Sequence, residues 1–176
     1  MRTEVLVFHP NLAGSRVNAA LARAARTAHD VRVRDMYSLY PEFHVDVATE
    51  HEVLAAADRI VLQFPMYWYL YWYSSPALLK QYLDDVLTYG WAYGSNGTAL
   101  RGKDLLIAVS SGADAGKYTH EGEVGFTVDE LLRPFYATSN LIRTNYLAPF
   151  IAAGAMSIST QDLAAQCERY IQALTT

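Results

Sequence analysis

Apolar positions along the chain switch between a strand-like and a helix-like period. Glu4 to Phe8 ("EVLVF") is a short continuous run with β-branched residues, as a strand buried on both faces carries. The turn-forming "HPNLAGS" follows, and Val17, Ala20, Leu21 and Ala24 then recur at helical spacing, predicting a helix through Ala28. In "DVRVRDM", Val31 and Val33 alternate with arginines, predicting a strand buried mainly on one face. "VATEHEVLAAA" reads as a short helix and "RIVLQF" as a central strand. Pro76 then opens a helix with Ala77, Leu79, Tyr82, Leu83 and Val86 on its apolar side. "DLLIAVSS" is a fourth strand, and "TVDELLRPFYATSNLI" a helix kinked or started near Pro134. "TNYLAPFI" is a fifth strand, and a last helix places Leu163, Cys167, Tyr170, Ile171 and Leu174 on one face.

Five strands alternating with helices predict one α/β domain over residues 1–176, an open parallel sheet covered by helices on both sides. Ligands of such sheets bind outside the carboxyl ends of the strands. Three segments should therefore meet there: "HPNLAGSRVN", "FPMYWYLYWYSSP" and "SSGADAGKYTH". The first joins a strand to a helix N-terminus, where unpaired N–H groups and the helix dipole make a seat for an anion. Ser15 is placed either to cap that helix or to give its hydroxyl to a phosphate, with Arg16 and Asn18 as further donors. Neither G-x-G-x-x-G nor G-x-x-x-x-G-K-[ST] is present.

Composition changes this picture little. With 52% apolar and 18% charged residues the chain is an ordinary globular one, and a net charge of −4 without a basic block argues against nucleic acid as partner. The single cysteine, Cys167, excludes an internal disulfide, fits a reducing, cytoplasmic setting and reads as a small buried residue. No signal peptide is evident at the N-terminus. Ile60 to Leu79 lacks charge over about the length of a bilayer span. Pro65, Pro76, Gln63, Ser74 and Ser75 interrupt it, and its central aromatics are those of a site rather than an anchor. The five histidines lack metal-binding spacing and no G-x-S-x-G elbow occurs, so neither a metal site nor a serine nucleophile is expected.

"VFHPNLAGSRVN", "FPMYWY", "SSPALLKQYLDDVLTYGWAYG" and "ELLRPFYATSNLI", in this order, resemble the flavodoxin-like NAD(P)H:quinone oxidoreductases. Within these the chain is most similar to the small FMN-dependent group of general stress proteins and of ancillary quinone reductases of glutathione-gated potassium efflux systems. The resemblance implies a five-stranded sheet of order 2-1-3-4-5, bound FMN, NADPH or NADH as co-substrate, and a homodimer with sites at its interface. It places His9, Ser15, Arg16, Val17 and Asn18 against the flavin phosphate and ribityl chain. It also sets Ser110, Ser111, Gly112 and Ala113 along the flavin's pyrimidine edge, where glycine permits close approach.

The family pattern of the aromatic loop, roughly F-P-x-x-W-Y-S-x-P, is met twice here, by "FPMYWY" and by "YWYSSP", as though four residues were duplicated. Anchoring from the strand end assigns Pro65, Met66, Tyr67, Trp68 and Tyr69 to the flavin ring; counting back from Pro76 assigns Tyr71 to Tyr73 instead. By resemblance Tyr118 holds the flavin O2 edge as negative charge develops there. His120 is either a proton relay or a solvated loop histidine, and its register does not match the family's histidine. The resemblance also implies that Trp91 and Tyr93 of "YGWAYG" lie at a dimer seam. The implied reaction is a ping-pong transfer of hydride from NAD(P)H through flavin N5 to a quinone or other flat aromatic acceptor. Reduction of azo or nitro compounds, an ancillary role on a potassium efflux transporter at the inner membrane, and a flavodoxin-type electron carrier are the alternatives. The mild charge and the covering aromatic loop weigh against the carrier.

Overall fold

The computed structural model describes residues 1–66 and 75–176. Among the described residues six strands are formed: β1 (Thr3–Val7), β2 (Val31–Asp35), β3 (Arg59–Met66), β4 (Asp104–Ser111), β5 (Asn145–Tyr146) and β6 (Phe150–Ala152). The helices are α1 (Arg16–Ala25), α2 (Met36–Leu39), α3 (Val47–Ala56), α4 (Ala77–Val86), α5 (Val128–Leu131), α6 (Arg133–Ile142) and α7 (Thr160–Thr175). All pairings are parallel in the order β2-β1-β3-β4-β5, with β6 also on β4. The expected strand order is thus found, with one change. The predicted fifth strand is two short pieces, because Pro149 has no N–H to give to a ladder.

The period of two along β1 sorts its side chains between two cores. Val5 and Val7 pack with Val17, Leu21, Tyr170 and Leu174 of α1 and α7. Leu6, with Phe8 just beyond the strand, packs on the other face against Leu54, Leu79, Tyr82 and Phe135 of α3, α4 and α6. Both sheet faces are covered, which is why β1, β3 and β4 read as near-continuous apolar runs.

Several boundaries differ from the sequence reading. α1 ends at Ala25 rather than Ala28. The segment around Pro134 is two helices meeting at Leu132, with the proline in the first turn of α6, where its missing N–H costs nothing. Cys167 is only half-buried, at the edge of the α1/α7 core. β2 departs most from its pattern. Val31 and Val33 are half-buried, whereas Arg34 is 8% exposed and binds the wholly buried Glu50 of α3 through two hydrogen bonds of 2.6 Å. Tyr82 donates to the same carboxylate at 2.9 Å, and the Tyr40 hydroxyl does so as well. Among the described residues no helix is long and apolar enough to cross a membrane.

Candidate active site

The carboxyl ends of β1, β3 and β4 open into a cleft of about 320 Å³ lined by His9, Ser15, Arg16, Val17, Asn18, Pro65, Met66, Ser110, Gly112, Ala155 and Met156. Strand register explains the meeting: Pro65 pairs with Ser110 and Met66 with Ser111, while the Phe8 amide donates to the Gln63 carbonyl at 2.8 Å.

The first loop is built by nested hydrogen bonds. The Asn11 amide donates to His9 Nδ1 (3.1 Å), the Gly14 amide to Asn11 Oδ1 (3.1 Å), and the Ser15 amide to the Leu12 carbonyl (3.0 Å). A Cβ at Gly14 would stand 2.6 Å from Asn11 Nδ2, so a larger residue here would push the Asn11 side chain aside. Ser15 caps α1, its Oγ accepting from the Asn18 amide at 3.2 Å. The Arg16 and Val17 amides, first in the helix, find no acceptor among the described residues. Because Nδ1 of His9 accepts a backbone N–H, the neutral ring carries its proton on Nε2. Burial lowers the His9 pKa, against the opposing pull of Asp35. Arg16 donates to the Ile158 carbonyl (2.5 Å) and to Thr160 Oγ1 (3.4 Å), which fixes its charge at the rim. None of the described lining residues is acidic. Backbone N–H groups, a hydroxyl, a neutral imidazole N–H and a guanidinium form a donor set suited to an anion such as a phosphate.

At the far wall Ser110 is 3% exposed and accepts from Asn18 Nδ2 at 2.8 Å, so Asn18 bridges the two loops. Ser111 turns away from the cleft, donating to the Ala113 carbonyl at 3.0 Å. The turn after β4 is zipped to the loop after β6: Gly154 N–H to Ala113 O (2.9 Å), Ala155 N–H to Ser111 O (2.9 Å) and Met156 N–H to Gly112 O (3.5 Å). This brings Ala155 and the 84% exposed Met156 to the rim. Neither residue was picked out from sequence, although both follow a strand adjacent to β4 at the carboxyl edge of the sheet.

Of the expected flavin contacts, His9, Ser15, Arg16, Val17, Asn18, Pro65, Met66, Ser110 and Gly112 are brought together. Ser111 and Ala113 shape the turn without lining the cleft. Tyr67, Trp68 and Tyr69 lie outside the described residues, as do Tyr71 to Tyr73. Tyr118, 7% exposed, belongs to the core cluster on the α3/α4/α6 side and is not among the described residues lining the cleft. His120 is not at the cleft either. Its Nε2 lies 2.9 Å from Glu130 Oε2, and that carboxylate also accepts the Thr127 amide in the capping box of α5. The Thr127 amide first, and His120 second, pull the Glu130 pKa down to about 2. Trp91, expected at a subunit seam, stacks on His51 at 3.6 Å and is half-buried; Tyr89 beside Tyr93 is the exposed aromatic, at 71%.

The chain is 47% identical over 174 residues to the NAD(P)H oxidoreductase YrkL of Bacillus subtilis, covering 99% of this chain and 98% of that one. It is 41% identical to the glutathione-regulated potassium-efflux system ancillary protein KefF of Salmonella schwarzengrund, covering 98% and 94%. Among solved structures, a chain named a thermophilic tryptophan halogenase from Streptomycin violaceusniger superposes with a TM-score of 0.94 at 46% identity, covering 98% of both chains. General stress protein 14 of Treponema denticola, in complex with FMN, superposes with a TM-score of 0.90 at 39% identity over 99% of this chain and 100% of that one. An NADPH-quinone reductase from P. pentosaceus gives 0.89 at 32% identity, covering 100% and 99%. With residues 1–174 matching the family described as flavodoxin-like fold, and the sheet order and cleft in agreement, the chain belongs to that family.

Proposed function

We propose that the chain is an FMN-dependent NAD(P)H:quinone oxidoreductase. The observation that carries this reading is the cleft itself, an anion seat at the α1 N-terminus continuous with a second wall at Ser110 and Gly112, in a chain so similar to one solved with FMN. The Arg16 and Val17 amides, the Ser15 hydroxyl and His9 Nε2–H hold the phosphate, with the Arg16 charge behind them. Gly112, where a Cβ would press on Met156 Sδ at 3.2 Å, would keep this wall open to the flat part of the cofactor. Bound FMN would supply the two-electron chemistry that links a nicotinamide donor to the acceptor. Donor and acceptor use one face of the site in turn, so double-displacement kinetics are expected. Met66 and Met156 offer apolar, polarizable surface to such flat rings. A homodimer with the site at its interface belongs to this reading. Tyr89, Phe126, Tyr136 and Leu141 leave large apolar side chains at 71%, 56%, 52% and 55% exposure for it.

The test is to denature the purified protein, identify the released flavin, and follow NAD(P)H oxidation with and without a quinone. FMN release and quinone-dependent oxidation with parallel double-reciprocal lines are expected. A colourless protein that takes up no FMN at micromolar concentration would refute the proposal. The KefF relative favours a second reading, in which the chain is also an ancillary subunit of a potassium efflux transporter. Co-purification with such a transporter, and regulation that survives loss of flavin, would distinguish it.

A further inference from the structure

Behind the cleft, four buried polar side chains form a single directed chain. The Tyr170 hydroxyl donates to Gln63 Oε1 at 3.1 Å. Gln63 Nε2 donates to the Asn18 backbone carbonyl at 3.0 Å and to Asn18 Oδ1 at 3.4 Å. Asn18 Nδ2 donates to Ser110 Oγ at 2.8 Å. Exposures are 0% for Tyr170 and Gln63, 2% for Asn18 and 3% for Ser110.

One group in this chain cannot turn round: the Asn18 backbone carbonyl accepts and never donates. Gln63 must therefore face it with Nε2, which leaves Oε1 toward Tyr170. Complete burial holds the Tyr170 phenol far above its usual range, so it stays protonated and donates. The same Nε2 faces Asn18 Oδ1, which turns Nδ2, a pure donor, toward Ser110. Ser110 is thus obliged to accept. Its own hydroxyl proton has no acceptor among the described residues, although the residue lines the cleft and is almost wholly buried. A buried donor of this kind is left for an occupant.

We propose that Gln63 is a positioning residue of the flavin site: by orienting the Asn18 amide it reserves the Ser110 hydroxyl proton for an acceptor atom of the bound flavin. This rests on the FMN reading of the cleft. Without Gln63, the Asn18 amide is free to reverse and present Oδ1 to Ser110. The hydroxyl would then spend its proton inside the protein and face the cleft with lone pairs.

A double-mutant cycle on FMN affinity, read by fluorescence titration, tests the link. Ser110→Ala should weaken FMN binding about three- to tenfold, the worth of one hydrogen bond. Gln63→Met, similar in length but without the amide, should weaken it at least about threefold in the Ser110 background and not at all in the Ser110→Ala background. Tyr170→Phe should lower the melting temperature yet leave FMN affinity within about twofold, because the Asn18 carbonyl still orients Gln63. Additive losses from Gln63→Met and Ser110→Ala would overturn the proposal. So would a loss in Tyr170→Phe equal to that in Gln63→Met, which would mark general loosening of the α1–β3–α7 packing. A wild-type chain that takes no FMN overturns the cofactor reading and this proposal with it, whereas FMN binding with an additive cycle overturns the positioning role alone. Should Gln63→Met not fold, neutron diffraction of the wild-type FMN complex decides. A Ser110 proton directed at the flavin supports the assignment; one directed at Asn18 overturns it.

Discussion

Replacing Glu50 with glutamine removes one charge from the most deeply buried ion pair described here and leaves the shape nearly intact. Glu50 is wholly buried and its two oxygens accept two hydrogen bonds from Arg34, one from Tyr82 and one from Tyr40. An amide can accept at one end only, so at least one N–H or O–H would meet another donor. Arg34, 8% exposed, would keep its charge without a counter-charge. Breaking a buried pair from one side costs about 3–5 kcal/mol, a large part of the roughly 5–15 kcal/mol that holds a domain folded. For a domain of this size each kcal/mol moves the melting temperature by about 2–4 °C, so a fall of roughly 6–20 °C is expected. Urea unfolding at constant m-value is the cleaner measurement, since it separates lost stability from a changed denatured state. The double variant Arg34→Met/Glu50→Leu should recover part of the loss, because an apolar replacement of both partners incurs no ionic desolvation, while the buried Tyr82 hydroxyl still lacks its acceptor. A Glu50→Gln variant within about 1 kcal/mol of the wild type would refute the reasoning, placing the pair with surface bridges of that size.

Three further outcomes are expected. Ser15→Ala removes the 3.2 Å cap to the Asn18 amide and should cost about 1 kcal/mol of stability in urea melts, with an additional loss of FMN affinity in fluorescence titration. His9 has a folded pKa below its ordinary 6.5, so the fold favours the neutral ring; its contribution to stability is present above pH 6.5 and is lost as pH falls through the lower, folded pKa. An NMR titration of the His9 ring with a midpoint at or above 6.5 would contradict this. Gly154 sits at φ +74° and a Cβ there would lie 2.6 Å from Asp114 Oδ1, which accepts from Ser157. Gly154→Ala should therefore cost at least about 1–2 kcal/mol by thermal unfolding, and should loosen the Ala155–Met156 rim.

Much of the fold could be read from apolar periodicity, because a sheet covered on both faces writes its central strands as continuous runs. β4 lies where "DLLIAVSS" puts it, and the alternation in β1 follows from the same geometry. β2 shows where that reading stops. Hydropathy takes any arginine as solvent-facing, so Arg34 looks like Arg32. Its burial depends on a carboxylate 16 residues away on helix α3, together with two tyrosine hydroxyls. No local window contains that pairing. The divided fifth strand, by contrast, had a visible sign in Pro149, since a proline inside an apolar run removes a ladder donor.

The site shows the same division between what is local and what is assembled. A strand, a turn and a cap mark Ser15, Arg16 and Asn18 as candidate anion donors, the resemblance adds His9 and Val17, and all five line the cleft. The lone histidine at position 120 offered two roles, and no local window showed that it would pair with Glu130, which also caps α5. Gln63 offered no sign, since one glutamine in an apolar strand resembles an interruption. Its meaning comes from register: it pairs with Val7, beside the turn that starts α1, and so stands where it can meet Asn18 from behind. A residue whose work is to orient another donor acts through geometry that only the folded sheet supplies. The buried polar side chains facing the α1/α7 core are therefore where mutation should separate flavin affinity from stability most clearly.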